Sequence, residues 1–444
     1  MHLRRILLAG LLAPLLLSFT LAQPARALTL LRDPDIEHAL MKVAEPVLRT
    51  AGLGSTRMNI FVIDDGSLNA FVFDSNNIFI HSGLLQKMTR APMLQAVIAH
   101  EAAHITNGHL ARRPVNLRNA RTAAGIGAAL AAAAAVASGV GEVAGLGAIG
   151  AANTAQRLFL VHTRAEENGA DQSGMRYLAA AGIDPYGMVE VMDIFRGQEV
   201  LSAARQDPYA RTHPLSSDRY RVVKRLADSY GGKAQEDPEA EYWFQRAKGK
   251  LSAFTRAPKW TLTRAGETGH ADIEAMRVAI AQHRQSQTGA AVAAIDRAIA
   301  ARPDDPFYLE LKGQILFEAR RFGEAAEAYR AASELAPKDA LILGAYGRAL
   351  LATKQTEAAI RMLEASQARD GRDPRVLRDL AQAYATVGQN GMASLVTAER
   401  YAMQGRLQDA GIHAKRASGL LLQGTPGWRR AQDILIVAER AAKE

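Results

Sequence analysis

His100, Glu101 and His104 stand in a run, Met93–His109 (MLQAVIAHEAAHITNGH), that is otherwise mostly apolar. On a helix, His100 and His104 leave the same face one turn apart, because they are four residues apart. Two imidazole nitrogens so placed can grip a Zn²⁺ ion. The glutamate between them, rotated to the side, can reach a water there and act as general base. Leu94, Val97, Ile98 and Ile105 recur at helical spacing, Pro92 suits a first turn, and Gly108 and Pro114 are stop signals. The spacing therefore predicts a buried helix, and buried ionisable groups need partners or a metal. A helix holding two satisfied core histidines is the plain alternative.

The chain contains no cysteine, so any further zinc ligands must be histidine or carboxylate. Leu158–Ala181 (LFLVHTRAEENGADQSGMRYLAAA) supplies Glu166, Glu167 and Asp171. Glu167 and Asp171 face the same way on a helix. Glu167 is read as the third metal ligand and Asp171 as the acceptor that orients a ligand imidazole. Glu166 is read as part of a solvated acidic face. Downstream, Thr212-His213-Pro214-Leu215 puts a histidine before proline, hence on a loop. From there His213 could be a fourth ligand that closes the site, or a donor to a tetrahedral intermediate.

Several elements must position these residues. Asp33–Gly52 reads as an amphipathic helix. Met58–Ile63, Asn69–Phe73 and Ile78–His81 read as short strands parted by Asp/Gly/Asn turns, so a small sheet precedes the histidine helix. Its last strand could be an edge on which an extended peptide pairs by main-chain hydrogen bonds; a structural hairpin is the alternative. Between the histidine helix and Glu167 lies Thr122–Ala152, almost wholly Ala, Gly, Val, Ile and Leu. A packed, glycine-bent helical hairpin near the site is the preferred reading, with a membrane-dipping element second.

At 444 residues the chain calls for two or three domains. Arg4 and Arg5, the apolar run Ile6–Leu21 and the triplet Ala25-Arg26-Ala27 read as a secretory signal peptide over residues 1–27, so the protein is expected in the periplasm. Removing that segment would lower the net charge from +9 to about +6. So modest a balance fits peripheral contact with an anionic membrane, or simply a basic soluble protein. No cluster of basic and aromatic residues points to nucleic acid.

His100-Glu101-Ala102-Ala103-His104, Glu167-x-x-x-Asp171, and His213-Pro214 with Arg219 together resemble the CAAX-prenyl-protease/HtpX-like gluzincin metallopeptidase family. Asn69-Ala70-Phe71 and Gly83-Leu84-Leu85 resemble that family's approach to the histidine helix. The resemblance implies one zinc per chain, held by His100, His104 and Glu167, with Glu101 as general base. It makes His213 a loop histidine that can cap the metal, puts Arg219 beside Asp171 as a supporting residue, and marks Asn69, Ala70 and Phe71 as the substrate edge strand. It also implies endoproteolysis of unfolded or misassembled polypeptides, in quality control of outer-membrane proteins. Two departures stand out: Ala102 replaces a larger aliphatic residue, and Asp74-Ser75-Asn76-Asn77 replaces a glycine-containing turn.

Beyond Pro258–Gly269, which reads as a linker, the chain repeats itself. Ala291, Ala325, Ala359 and Ala393 recur at 34 residues, as do Pro303 and Pro337, and Gly313 and Gly347; Tyr329 and Ala332 fill further positions. That period is the tetratricopeptide signature of stacked helix pairs, credible for three or four units up to about Val396, with Ala398–Lys443 capping them. The expected fold is mainly α: a zincin-like metallopeptidase domain with a small β-sheet over residues 28–257, then an α-solenoid over 270–444. Its concave surface suits extended peptides or partner proteins, and the resemblance implies the outer-membrane β-barrel assembly machinery among them. Two functions compete: a zinc endopeptidase, and a non-catalytic periplasmic chaperone or assembly adaptor working through the repeats.

Overall fold

A computed structural model describes residues 29–442 except 55–57, 73, 111–163 and 203–204. The expected signal peptide and the Ala/Gly-rich segment 122–152 lie outside the described residues. The first helix, α1 (Pro34–Thr50), starts where the Asp33 side chain accepts the Ile36 amide at 2.9 Å and Pro34 occupies the first turn. Its buried face carries Ile36, Leu40, Val43 and Val47.

Four strands follow the order β1-β2-β4-β3: β1 (Leu30–Leu31), β2 (Asn59–Ile63), β3 (Ala70–Val72) and β4 (Asn77–His81). β2 and β4 pair in parallel, while β3 turns back antiparallel to β4 and takes the sheet edge. Among the described residues β1 and β3 are therefore the edge strands, and β4, the last strand in sequence, is internal. α2 (Ser82–Lys87) leads into α3 (Ala91–Thr106), which lies against α1 and the sheet. Every α3 residue from Met93 to His104 is buried, as its composition requires. α4 (Arg164–Ala180), α5 (Tyr186–Phe195), α6 (Pro208–Thr212), α7 (Ser217–Tyr230) and α8 (Pro238–Thr255) complete this half. One hydrophobic core joins α1, the sheet, α3, α5 and α8.

Residues 258–269, expected as a linker, are regularly structured. They form α9 (Pro258–Thr263) and a 3₁₀ turn, Ala265–Thr268, because Thr261 and Ala265 bury their side chains and Arg277 Nη1 binds the Ala265 carbonyl at 3.0 Å. Paired helices follow: α10 (Ala271–Arg284) with α11 (Thr288–Ala301), α12 (Pro306–Glu318) with α13 (Phe322–Leu335), α14 (Ala340–Ala352) with α15 (Thr356–Arg369), and α16 (Pro374–Thr386) with α17 (Asn390–Met403). Gly313 is required by close packing, since a Cβ there would lie 2.8 Å from the Tyr329 ring. The chain from Leu407 onward adds a fifth pair, α18 (Leu407–Leu420) and α19 (Pro426–Ala441).

Buried ion pairs join the repeats to the first half. Arg246 and Lys250, side by side on α8, are fully buried. Arg246 binds Asp35 at 2.7 Å and Asp305 at 2.9 Å and lies 4.1 Å from the centre of the Tyr308 ring. Lys250 meets Asp33 at 2.9 Å, with Glu310 of α12 at 3.8 Å. Removing one partner of such a pair leaves an uncompensated buried charge, at a cost of about 3–5 kcal/mol. No helix among the described residues is long and apolar enough to cross a membrane.

Candidate metal centre

α3 delivers its histidines because its ends are fixed from outside. The Ala91 amide is capped by Glu241 of α8 at 2.8 Å, and beyond the other end Gly108 takes a φ of +70°. α4 crosses α3 at close range through Gly174, where a Cβ would sit 3.3 Å from the Ala99 carbonyl carbon. Glu167 and Asp171 lie seven and three residues before that contact, on the same helix face, so the approach aims both carboxylates at the α3 imidazoles.

His100 Nε2 and His104 Nε2 lie 3.1 Å apart. Glu167 Oε2 is 3.5 Å from His100 Nε2, and Glu167 Oε1 is 3.3 Å from His104 Nε2. His213, just beyond α6, brings Nδ1 to 3.0 Å from Glu167 Oε1 and 3.2 Å from His100 Nε2. Glu101 is fully buried, its Oε1 3.5 Å from His213 Nε2. The four donor-bearing side chains, His100, His104, Glu167 and His213, are all buried, and their ligand atoms fall within 4.8 Å of one another.

Two observations test whether a divalent cation fits. Ligands around a tetrahedral ion with bonds of about 2.0–2.1 Å lie about 3.3 Å apart, and zinc takes this nitrogen and oxygen set. The spacings here scatter around that value. Charge agrees as well: with Glu101, Glu167 and Asp171 counted as ionised and the imidazoles counted as neutral ligands, three buried carboxylates face one buried guanidinium, Arg219, which leaves two negative charges for a divalent cation to balance.

The surrounding residues orient the donors. Asp171 Oδ1 lies 3.0 Å from His100 Nδ1. Arg219 Nε and Nη2 bind the two Asp171 oxygens at 2.8 and 2.9 Å, and Arg219 Nη1 reaches Glu167 Oε2 and the Pro214 carbonyl, both at 2.8 Å. That guanidinium links the Glu167 carboxylate to the His213 loop. Burial opposes a charge on His100, but Asp171 and Glu167 outweigh it and raise its pKa to about 10. Burial likewise opposes ionising Glu167, yet His213 and Arg219 hold it well below the usual carboxylate range.

Peptide hydrolysis needs a cleft open to an incoming chain, and among the described residues the donors are covered. His213 and Tyr209 cover the donors, with the Tyr209 ring centre 4.5 Å from that of His213. The void beside them, bounded by Phe195, Leu215 and Arg219, is only about 20 Å³, too small for a peptide. The Tyr209 amide binds the Leu68 carbonyl at 3.1 Å, which ties α6 to the chain entering edge strand β3. Within that approach Asn69 and Ala70 are buried, and Phe71 stacks on Phe79 with ring centres 5.3 Å apart. Tyr209 and His109 escape the sequence reading. His109 Nδ1 lies 2.9 Å from His104 Nδ1, and its only sequence signal is a histidine just past the Asn107-Gly108 turn.

The family model for peptidase family M48 matches residues 31–227, and one for tetratricopeptide repeats matches residues 316–383. The beta-barrel assembly-enhancing protease of Escherichia coli K12 is 25% identical over 398 residues, 86% of this chain and 78% of that one. A putative beta-barrel assembly-enhancing protease of Vibrio cholerae is 30% identical over 219 residues, 49% of this chain and 44% of that one. The mitochondrial metalloendopeptidase OMA1 of Schizosaccharomyces pombe is 28% identical over 206 residues, 46% of this chain and 56% of that one.

Proposed function

From the premise that this chain carries a peptidase family M48 domain followed by tetratricopeptide repeats, and is a metalloprotease, we propose that it is a zinc endopeptidase of the periplasm. It acts on misfolded or stalled envelope and outer-membrane proteins, which its repeats hold as substrate or through a partner such as the β-barrel assembly machinery. The observation that carries the hydrolytic reading is the convergence of His100, His104 and Glu167 at mutual spacings of 3.1–3.5 Å, with Glu101 alongside. The substrate class rests on the likeness to beta-barrel assembly-enhancing proteases.

His100, His104 and Glu167 would hold the zinc, which when bound supplies Lewis acidity toward a scissile carbonyl and a nearby water. Asp171 accepts the His100 Nδ1 proton and so presents Nε2 inward. Glu101 takes a proton from the attacking water and passes it to the leaving amine, so that one water is consumed and one amine and one carboxylate are released. No side chain attacks the substrate, and no acyl-enzyme forms. Arg219 keeps Glu167 ionised. A peptide enters only when His213 and Tyr209 withdraw; it then pairs along β3, whose outer edge, unpaired among the described residues, offers main-chain donors and acceptors.

The same closed arrangement favours a second reading. A site with four protein donors has no place for water, and such a protein would serve as a chaperone or adaptor through its repeats while His213 stays in place. One comparison separates the two: zinc content of the purified protein, then wild type against Glu101→Gln on an unfolded substrate. The enzyme reading expects zinc in both and cleavage by wild type alone. Equal behaviour of the two proteins would reject it.

A further inference from the structure

The two α3 imidazoles are held by different kinds of partner. His100 has a carboxylate, Asp171, at 3.0 Å behind its ring, whereas His104 has a second imidazole, with His109 Nδ1 2.9 Å from its Nδ1. A hydrogen bond between two ring nitrogens needs one proton, on one side only. For His104 to present a lone pair at Nε2, the proton must sit on its Nδ1. His109 Nδ1 must then be bare, with the His109 proton on Nε2.

The chain is shaped to make this contact. Gly108, at a φ of +70°, adopts a backbone conformation that L side chains rarely take, and it carries His109 back beside His104. His109 is 4% exposed, and its ring meets that of His104 edge-on, with centres 5.0 Å apart. On its far side stands Gly169 of α4, two residues beyond Glu167; a Cβ there would sit 4.0 Å from His109 Nε2 and Cε1. His109 thus touches His104 on one helix and packs beside the helix that bears Glu167.

We propose that His109 is a positioning residue of the metal centre: as acceptor of the His104 Nδ1 proton it fixes the tautomer and ring plane of that ligand. The inference rests on reading the cluster as a zinc site. Asp171 and His109 then divide one task, each orienting one imidazole of the pair.

The test uses the full chain as wild type, His109→Asn and His109→Leu, with zinc affinity measured by competition against a chelator and cobalt(II) absorption as the signature of ligand geometry. Asparagine offers an oxygen near the place of Nδ1, while leucine fills similar space with no acceptor. The Leu variant is expected to bind zinc about 10–100-fold more weakly with a changed cobalt spectrum, and the Asn variant to stay within a few-fold of wild type. Wild-type affinity in the Leu variant overturns the proposal. Equal losses in both variants overturn it too, since they would show packing alone. If the Leu variant does not fold, nitrogen-15 histidine spectra of zinc-loaded wild type decide instead: a proton on His104 Nδ1 and on His109 Nε2 is expected, and one on His109 Nδ1 refutes the proposal. A wild type that binds no zinc fails the metal reading itself, a distinct result.

Discussion

Gly174→Ala tests whether the α3–α4 approach sets the spacing of the metal donors. The new methyl would lie 3.3 Å from the Ala99 carbonyl carbon and 3.4 Å from both the Ala99 oxygen and the His100 nitrogen. All three are backbone atoms, so no side chain can swing aside and the helices must part by a few tenths of an ångström. Overpacking of that kind costs about 1–3 kcal/mol. Alanine in a helix returns about 1 kcal/mol over glycine, so a net loss of about 0–2 kcal/mol is expected. Gly323→Ala is the control, because Gly323 also lies in a helix but has nothing within 4 Å of the added methyl. It should stabilise by a few tenths to about 1 kcal/mol. The difference in thermal midpoint between the two variants isolates the contact. Because Glu167 rides on α4, chelator competition should also show weaker zinc binding in Gly174→Ala alone. If both variants are equally stable and bind zinc as wild type does, the crossing does not set the donor spacing and the reasoning is wrong.

Glu101→Gln should retain zinc while losing peptide hydrolysis by about 10²–10⁴-fold, measured on an unfolded substrate; appreciable residual turnover would remove Glu101 from its role. His213→Ala should raise basal proteolysis, because it removes a donor that covers the site, and unchanged or abolished turnover would count against a cap. Chelators should stop the reaction while serine- and cysteine-directed inhibitors leave it running; the reverse pattern would sink the mechanism. Burial, with Asp33 and Asp35 adding to it against the pull of Lys250, pushes the Glu310 carboxyl up to about 8 from the usual 4.5. An acid raised by folding favours the folded state while protonated, so its contribution is complete below about 4.5 and is lost as pH rises through about 8. Glu310→Gln should flatten that part of the melting-temperature profile, and an unaltered profile would refute it.

The parts of the site legible in the sequence were those carried by helical periodicity. His100 and His104 are four apart, and so are Glu167 and Asp171; on a helix, spacing alone fixes which side chains share a face. What periodicity cannot say is how two helices meet. The crossing depends on Gly174, an unremarkable residue until Ala99 is seen against it. His109 was missed for a related reason: its position depends on one left-handed glycine, not on a repeating pattern. The last strand is not the edge that it could have been, because β2 and β4 pair in parallel and β3, between them in sequence, packs outside β4. The 34-residue recurrence of small residues revealed the repeats, whereas nothing local marks Arg246 and Lys250 as buried, since their partners Asp33, Asp35 and Asp305 are far away in sequence. Closure of the site by His213 and Tyr209 is likewise a matter of where a loop lands.

The clamping of Arg246 between Asp35 on one side and Asp305 on the other makes the solenoid a fixture and not a tether. A polypeptide gripped by a fixture is presented over a set span, so the enzyme would work as a ruler. The scissile bond would then fall a near-constant number of residues from the captured segment, whatever sequence lies between, and loosening the α8 clamp would blur that register before it slowed the cut.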